Sequence, residues 1–406
     1  MRILVQKFGG TSLSDARARS HAIRHIRRAL AESFHLVVVV SAMGRKGEPY
    51  ATDSLLELAR SNGNCLPARE RDLLMHCGEI ISAAVLCSLL EAENVSSVVY
   101  TGAQAGIRTN DRFGDARIDS IQPSRIVQAL SENRVVIVPG FQGETAQGDI
   151  TTLGRGGSDT TATALGSALR AERVDIFTDV EGVFTADPRI VSEAKPIDKV
   201  TYAEICNMAY QGAKVIHPRA VEIAMEAGVP IRVRSTFSED EGTLVTRAVE
   251  TELSDRRLRD RFVTGIAHVA PVTQIKVAAQ DGQYDLSLNV FKAMASNQIS
   301  VDFINVNVSG VTYTVFEHEA GRALDVLGKM GYSPEFFTGC AKVSVIGGGM
   351  NGVPGVMARI VESLTERDIP ILQSADSTAT IWVLVKETDM VQAIQALHHA
   401  FMLDKP

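Results

Sequence analysis

A lysine and a glycine-rich turn stand together near the start of the chain, where their chemistry suits a phosphate group. Lys7 follows the apolar segment Ile3–Val5, and Gly9 and Gly10 come next in the run K-F-G-G-T-S. Glycines that leave a buried strand let backbone amides approach phosphate oxygens closely. A lysine at the end of that strand neutralises charge on a phosphoryl group during its transfer. By itself, this turn is weak evidence for a kinase.

A second glycine-rich loop occupies residues 153–162 and reads L-G-R-G-G-S-D-T-T-A. It opens a helix-like segment, for which Ser158 is a suitable N-cap and whose first free amides form an anion site. Arg155 offers a planar fork that suits a carboxylate or a phosphate. Asp159, in the first turn, would hold a lysine in place. A surface loop before an ordinary capped helix has the same pattern.

A third segment, residues 177–189, reads F-T-D-V-E-G-V-F-T-A-D-P-R and follows a strand. Its turn residues would wrap a nucleotide, with Arg189 on a phosphate, although a two-turn connector has a similar composition. The chain has neither a Walker loop nor the H-R-D and D-F-G pair of protein kinases. Gly347–Gly352 matches G-x-G-x-x-G but lacks the acidic residue expected about 20 positions on, so we expect no dinucleotide site.

The elements that position these loops alternate between strand and helix over the first 245 or so residues. Leu36–Val40 is a continuous apolar run, typical of a parallel strand buried on both faces. Further strands are expected at Val98–Thr101, Val135–Pro139, Val174–Thr178 and Pro230–Val233, and helices at Ala16–Ser33, Arg69–Glu91, Pro123–Ser131, Asp159–Leu169 and Ala213–Ala227. This alternation predicts an α/β domain with a mainly parallel sheet and ligands at the carboxyl ends of its strands.

The rest of the chain differs in character. A charge-dense stretch within 236–261 reads as an interdomain connection. An approximate repeat follows it, with a β-α-β-β-α order in each copy, as in ferredoxin-like units without a clear last strand. Small units of this kind usually pair their sheets, so we expect them to pair within the chain and in a homodimer. We predict domains at 1–246, 262–337 and 338–406, with a linker at 247–261.

The overall composition narrows the class of protein. The 406 residues are 45% hydrophobic and 22% charged, with a net charge of −7, which argues against nucleic acid as the main partner. The cysteines are odd in number and never spaced C-x-x-C, which fits a reducing compartment: Cys65, Cys77, Cys87, Cys206 and Cys340. The N-terminus resembles no signal peptide, and no uninterrupted apolar run reaches the ~18 residues of a membrane helix. We therefore expect a cytoplasmic location without a membrane partner.

Taken in order, these motifs resemble the amino-acid-kinase superfamily, and the aspartokinases in particular, over essentially the whole chain. The resemblance extends to V-S-A at Val40–Ala42 and to G-A-K-V-I-H-P at Gly212–Pro218. The stretch Met43–Leu55 looks most like the diaminopimelate-sensitive aspartokinase I of Bacillus-type bacteria. The tail looks like the two ACT modules through which aspartokinases sense end-product amino acids.

The resemblance implies that MgATP phosphorylates the β-carboxylate of L-aspartate, giving 4-phospho-L-aspartate. Lys7 would stabilise the phosphoryl group in flight, and Asp159 would orient Lys7. The substrate would contact Ser41, Thr52, Glu79, Arg155 and Ser158, with Arg155 on a carboxylate and Glu79 on the amino group. The nucleotide would contact Lys7, Gly9, Gly10, Ser41, Thr178, Asp179, Phe184, Asp187, Arg189 and Lys214. No side chain need act as nucleophile, because the substrate carboxylate attacks.

Several of these residues also have ordinary explanations or depart from the family pattern. Glu79 would also fit a solvent-exposed charge on a helix face, and Lys214 would also fit an i,i+4 ion-pair partner on a helix. Phe184 stands at a position where many relatives carry tyrosine. The D-x-P-G turn that usually opens the first ACT helix is replaced by D-G-Q-Y at 281–284. Effector contacts are expected at Asp281, Gln283, Tyr284, Asp302 and Asn305, although polar turn residues would look the same.

Diaminopimelate is the first expected effector, with lysine or threonine as alternatives. Two other functions remain open from the sequence. A kinase for another small acid, such as glutamate or acetylglutamate, would share the phosphate loops. A non-catalytic amino-acid sensor would keep the ACT repeat, although intact Lys7, Arg155 and Asp159 argue against a decayed kinase domain.

Overall fold

The computed structural model describes residues 1–61, 66–213, 215–247, 262–279, 285–350 and 352–405. The chain divides into two compact units. The first comprises Met1–Val183, Pro196–Ala209 and the described part of Lys214–Arg256, and the second comprises Phe184–Lys195, Tyr210–Ala213 and the described part of Arg257–Pro406. The predicted linker 247–261 lies outside the described residues except for Arg247.

The first unit is built on a mainly parallel sheet, as predicted. Its strands are β1 (Ile3–Phe8), β2 (His35–Val40), β3 (Ser97–Val99), β4 (Ile107–Thr109), β5 (Ile118–Ile121), β6 (Val135–Pro139), β7 (Gln142–Glu144), β8 (Ile150–Thr152), β9 (Arg173–Thr178), β10 (Lys199–Thr201), β11 (Ile231–Ser235) and β12 (Thr243–Thr246). Within the described ranges, eight of them form the order β10-β12-β11-β9-β1-β2-β6-β3, in which only the β11–β12 pair is antiparallel.

A second, small sheet in this unit was not predicted. It has the order β5-β4-β7-β8. Its strands are three or four residues long, too short for an alternating pattern to stand out from the surrounding turns.

Helices cover the large sheet and mostly follow the predicted bounds. They are α1 (Ala16–Ala31), α2 (Thr52–Arg60), α3 (Ala68–Met75), α4 (Cys77–Ala92), α5 (Ser124–Ser131), α6 (Gly157–Ala168), α7 (Tyr202–Tyr210) and α8 (Pro218–Ala227). The predicted helix Arg69–Glu91 is interrupted at His76. The helix predicted at Ala213–Ala227 is too long, because His217 caps it and Pro218 occupies its first turn.

The core of the first unit includes the packing of α1 and α4 against β1, β2 and β6. Ile26 of α1 and Leu86 of α4 are buried in one cluster with Leu36, Val38 and Ile137. Among the described residues, one helical stretch, Ala68–Ala92, is long and apolar enough to cross a membrane by length and composition. This is weak evidence for a membrane span, since core helices pass the same test and Leu86 belongs to this core.

The second unit contains the predicted β-α-β-β-α repeat. Its elements are β13 (Gly265–Ala278), α9 (Leu286–Ser296), β14 (Asp302–Asn307), β15 (Gly310–Phe316) and α10 (Glu317–Lys329), followed by β16 (Glu335–Ile346), α11 (Val356–Thr365), β17 (Gln373–Asp376), β18 (Thr380–Lys386) and α12 (Met390–Ala400). In the part of the tail that is described, the strands form one sheet in the order β14-β15-β13-β16-β18-β17.

The two repeats share strands at the centre of this sheet. Residues 272–278 of β13 pair with β15. On its other side β13 pairs with β16, residues 265–269 with 342–346 and residues 272–276 with 335–340. Val263 and Ile266 accordingly pack in the core of the second repeat with Val343 and Ile360. The predicted module boundary between residues 337 and 338 falls inside β16, because the two modules join edge to edge rather than through a loop.

Two segments from within the predicted catalytic range 1–246 belong to the second unit. Ala186 and Val191 are buried in the core of the second repeat. The Ile266 amide donates to the Thr185 carbonyl oxygen over 2.7 Å, and the Thr185 hydroxyl lies 2.9 Å from His398 Nε2. Residues 1–246 are therefore not one compact body, because Phe184–Lys195 and Tyr210–Ala213 pack with the tail.

Candidate active site

An ion pair between Lys7 and Asp159 lies at the centre of the candidate site. Lys7 stands near the carboxyl end of β1, and Asp159 in the first turn of α6. Lys7 Nζ is 2.8 Å from Asp159 Oδ1, and both side chains are 12% exposed. The His217 amide lies 3.4 Å from the other carboxylate oxygen and donates to it. The lysine is therefore held in place and shielded from bulk water.

The glycine turn after Lys7 packs tightly against the end of β2. Gly10 has no room for a side chain, since an added Cβ would lie 2.7 Å from the Gly44 carbonyl oxygen and 2.8 Å from that of Ala42. The Gly44 amide donates to the Gly10 carbonyl oxygen over 3.0 Å. A Cβ on Gly9 would lie 3.4 Å from Lys7 Nζ. The turn therefore brings its own backbone beside the lysine head group.

Glu79 is buried, so it is not the solvent-exposed charge on a helix face that the sequence pattern also allowed. It lies in the first turn of α4 and is 3% exposed. The Ala42 amide donates to its Oε1 over 3.2 Å, whereas Oε2 is buried without a hydrogen-bond partner among the described residues. Burial raises the pKa of Glu79 to about 8. Such a carboxyl group is suited to a ligand cation, which would compensate its lost hydration.

The loop before α6 differs from the prediction in its cap. Gly156, in the left-handed conformation, is the N-cap of α6, so Ser158 lies inside the first turn rather than at the cap. The reason is steric, because a Cβ on Gly156 would lie 2.2 Å from the His217 ring. Ser158 packs against Gly140 after β6, and Arg155 is exposed beside these residues.

Two further predicted residues lie at the ends of neighbouring elements. Ser41 directly follows β2, and its amide donates to the Phe8 carbonyl oxygen over 3.1 Å. Thr52 is the first residue of α2 rather than part of a loop. The start of α4 packs beside α2, since a Cβ on Gly78 would lie 3.4 Å from Leu55.

The end of β9 carries Thr178 and Asp179. The Thr178 hydroxyl donates to the Asp179 carboxylate over 3.2 Å. Arg45, from the stretch after β2, pairs with Asp179 at 2.5 Å, and both side chains are largely exposed. This link between the ends of β2 and β9 was not predicted, because 134 residues separate the partners.

Three of the remaining predicted nucleotide residues do not lie in the first unit. Phe184, Asp187 and Arg189 belong to the second. Arg189 forms a forked pair with Asp187, with Nη2 at 2.7 Å and Nε at 3.0 Å from the two carboxylate oxygens. This pairing lowers the pKa of Asp187. Lys214 lies outside the described residues.

The predicted effector residues are only partly described. Asp281, Gln283 and Tyr284 lie outside the described residues. Asp302 is largely exposed on β14 and pairs with the buried Lys342. Asn305 lines a groove of about 430 Å³ together with Gln274, Lys276, Asn307, Thr312, Glu335, Phe337, Leu372 and Gln373. Of the described effector residues, Asn305 thus borders a space large enough for an amino acid.

Two residues that support the Arg155 loop were missed from the sequence. Asp72 on α3 is fully buried, and its Oδ2 accepts from the amides of Thr152 at 2.7 Å and Gly114 at 2.8 Å. Arg219 on α8 donates to the Leu153 and Ala116 carbonyl oxygens, each over 3.0 Å. No local sequence signal distinguishes them from solvated helix residues.

Replacing Asp72 with alanine is expected to destabilise the protein by about 2–4 kcal/mol, because it leaves one buried and one half-buried amide without an acceptor. Asp72→Asn keeps one acceptor oxygen and should lose less. Thermal unfolding of the two variants measures the difference, with Asp53→Ala on α2 as the matched control. Equal unfolding midpoints for wild type and Asp72→Ala would contradict the inference that Asp72 stabilises the Arg155 loop.

Comparison with known proteins relates this arrangement to characterised enzymes. The amino acid kinase family model matches residues 2–235, and an ACT domain model matches residues 336–399. Aspartokinase 1 of Bacillus subtilis is 56% identical over 405 residues, covering 100% of both chains. The structure of E. coli aspartokinase III in complex with aspartate and ADP matches with a TM-score of 0.80 and 27% identity, over 99% of this chain and 100% of that one. Its complex with lysine and aspartate matches with a TM-score of 0.78 and 28% identity, over 98% and 99%.

Proposed function

The chain belongs to the aspartokinases of the amino acid kinase family, and from this premise we propose how its residues share the work. The enzyme transfers the γ-phosphoryl group of ATP to the β-carboxylate of L-aspartate, as the sequence predicted. The observation that carries the assignment of roles is the buried Lys7–Asp159 pair, 2.8 Å apart beside the glycine turn.

In this scheme, the attacking group is a β-carboxylate oxygen of aspartate. It forms a bond to the γ-phosphorus while the bond from that phosphorus to the bridging oxygen breaks and ADP leaves. Lys7 stabilises the negative charge on the transferring group, and Asp159 keeps its ammonium group in position. Catalysis then comes from positioning and charge neutralisation, without a covalent enzyme intermediate.

We place aspartate between α4 and the loop before α6. Glu79 receives its amino group, which supplies the cation that the unpartnered Oε2 lacks. Arg155 binds its α-carboxylate. Ser41, Thr52 and Ser158 stand at the ends of β2, α2 and α6 as further contacts.

We place the nucleotide along the glycine turn and the end of β9. Gly9 and Gly10 approach its phosphates, and Thr178 and Asp179 line the same edge of the sheet. Phe184, Asp187, Arg189 and Lys214 complete the contacts, as the family resemblance implies. Mg²⁺ bound with the nucleotide would neutralise charge on its phosphates. The described residues contain no group of three His, Cys, Asp or Glu that could hold a metal ion.

We further propose that catalysis depends on residues 1–246, two segments of which pack with the tail, and that amino-acid sensing depends on modules 262–337 and 338–406, which share one sheet. The linker 247–261 joins the catalytic residues to these modules. The ACT match at 336–399 supports the second module. Exposed apolar side chains on β14 and β16, such as Val306 and Phe337, support a homodimer through the tail. The described cysteines are unpaired, which supports a cytoplasmic location.

Diaminopimelate is the proposed inhibitor, because the stretch Met43–Leu55 resembles the diaminopimelate-sensitive aspartokinase I of Bacillus-type bacteria. Aspartyl phosphate trapped with hydroxylamine measures turnover in the presence of meso-diaminopimelate, lysine or threonine. We expect MgATP-dependent turnover that only diaminopimelate inhibits. Inhibition by lysine or threonine instead would overturn the proposed effector, and absence of turnover with aspartate would contradict the function itself. Asn305→Ala should weaken inhibition, with Asn297→Ala at the end of α9 as its control.

A further inference from the structure

A polar cavity of about 120 Å³ lies on the face of the large sheet opposite α6, beneath α1. The strand register forms its floor, because Gln6 on β1, Asp175 on β9 and Arg232 on β11 are direct neighbours in one row. Leu4, Arg173 and Arg234 extend the floor, and His25, Arg28, Ala29, Glu32 and Glu241 complete the lining. The residues assigned above to aspartate and ATP are not among these.

Positive charge exceeds negative charge in this cavity. Four arginines face three carboxylates: Arg28, Arg173, Arg232 and Arg234 against Glu32, Asp175 and Glu241. Arg173 pairs with Asp175 at 2.5 Å, and Arg232 pairs with Glu241. Arg28 reaches Glu32 at 3.3 Å and Glu241 at 3.7 Å, and it also reaches Glu239, which lies outside the lining, at 3.1 Å.

The guanidinium group of Arg234 takes part in none of these ion pairs. It is 5% exposed, and among the described residues no carboxylate lies within ion-pair distance of it. Its Nη2 donates to the Glu239 carbonyl oxygen over 3.2 Å, and its charge lies 5.5 Å from the centre of the Phe177 ring. Its Nε is buried and has no hydrogen-bond partner within the described ranges. A buried cation of this kind favours a bound anion.

Two more groups in the cavity lack partners. Arg232 Nε and Gln6 Oε1 are buried without a hydrogen-bond partner in the described part of the chain. Gln6 is 2% exposed, and its NH₂ group donates to the His25 carbonyl oxygen over 3.5 Å. The carboxamide can give up this long hydrogen bond and turn its NH₂ group toward an anion. The mouth of the cavity is open to solvent, since the side chains of Arg28, Glu32 and Glu241 at its rim are 43%, 48% and 59% exposed. A small ion therefore has a route in.

We propose that this cavity binds a small tetrahedral oxyanion of the phosphate or sulfate type, held by Arg234, Arg232 and Gln6. Guanidinium forks match the geometry of such oxygens. The cavity volume admits one inorganic phosphate but not a nucleotide.

The proposed site connects to the catalytic turn through buried hydrogen bonds. His25 Nε2 lies 3.0 Å from the Thr236 carbonyl oxygen, two residues after Arg234. The Thr236 hydroxyl donates to the Ser12 hydroxyl over 2.6 Å, and Ser12 ends the 3-10 turn that begins at Gly10. An anion that orders Arg234 would therefore also stabilise the segment that supports the catalytic glycine turn.

Calorimetric titration of the full-length protein with inorganic phosphate tests this site, at constant ionic strength. We expect saturable binding, shared by sulfate and absent for chloride. Arg234→Gln and the less buried Arg232→Gln should each weaken binding about tenfold or more, since each removes a charged donor. Arg27→Gln on the exposed face of α1 is the matched control and should bind as the wild type does.

Lys7→Ala distinguishes this cavity from the catalytic phosphate position, because it should leave phosphate affinity unchanged. Aspartokinase activity of the two cavity variants verifies that they fold. The proposal is overturned if phosphate shows no saturable binding, which would mean a water-filled cavity. It is also overturned if folded Arg234→Gln and Arg232→Gln bind phosphate as tightly as the wild type, or if Lys7→Ala abolishes binding.

Discussion

Replacing Lys7 with alanine is expected to lower kcat for aspartyl-phosphate formation by about a thousandfold or more. The reason is the position of its ammonium group, which is held 2.8 Å from Asp159 and shielded from water beside the glycine turn. There it would face the charge that develops on the phosphoryl group. The hydroxylamine assay measures the loss, and Lys199→Ala, at the exposed start of β10, is the matched control.

Lys7→Ala also leaves the Asp159 carboxylate buried without its cation, which should lower the unfolding midpoint. The double variant Lys7→Ala/Asp159→Asn separates this effect from catalysis. It removes the stranded charge, so we expect it to recover much of the thermal stability without recovering turnover. Turnover near the wild-type rate in either variant would remove Lys7 from the catalytic scheme.

Replacing Glu79 with glutamine is expected to lower kcat/KM for aspartate by roughly ten- to a hundredfold at pH 8 to 9, because a charged hydrogen bond to the amino group is lost. Burial raises the pKa of Glu79 to about 8, so below that pH the free enzyme holds this carboxyl mostly neutral. In the wild type, kcat/KM should therefore rise from pH 6 through pH 8 and level off at about one pH unit above the pKa of Glu79. The Glu79→Gln variant should lose that rise.

Protein stability should also depend on the proton of Glu79, but it should fall, whereas kcat/KM rises, as the pH increases. The pKa of Glu79 in the folded protein lies above its ordinary value of 4.5, so the folded state keeps a proton that the unfolded chain releases. The wild type should therefore lose stability as the pH rises from about 4.5 to about 8. Glu79→Gln should unfold at a higher temperature than the wild type at pH 8 and show little gain near pH 5. Glu93→Gln at the end of α4 is the control, and superimposable pH profiles for wild type and Glu79→Gln would contradict the assignment.

Much of the framework was readable from local patterns. The apolar run Leu36–Val40 predicted a buried parallel strand, and β2 is one. The carboxyl ends of parallel strands meet at one edge of a sheet, so loops that follow them were expected to converge. Lys7 after β1 and Asp159 at the start of α6 do meet. The family was readable for the same reason, since its motifs are contiguous runs of residues.

Where local patterns misled, a long-range contact was responsible. Ser158 looked like an N-cap, but the His217 ring, far along the chain, leaves room only for Gly156 at that position. The range 1–246 looked like one domain, yet Ala186 and Val191 complete a core made mostly by the tail.

The sequence by itself determined the family, the mainly parallel sheet and the residues that follow its strands, because these depend on side-chain type and on periods of two and 3.6 residues. Tertiary structure alone decided which polar residues are buried and which residues they contact. Glu79 has a raised pKa because the fold buries its carboxyl group, and Arg234 lacks a carboxylate because Asp175 pairs with Arg173 and Glu241 pairs with Arg232. Desolvation and pairing depend on distances between elements, which no local pattern records.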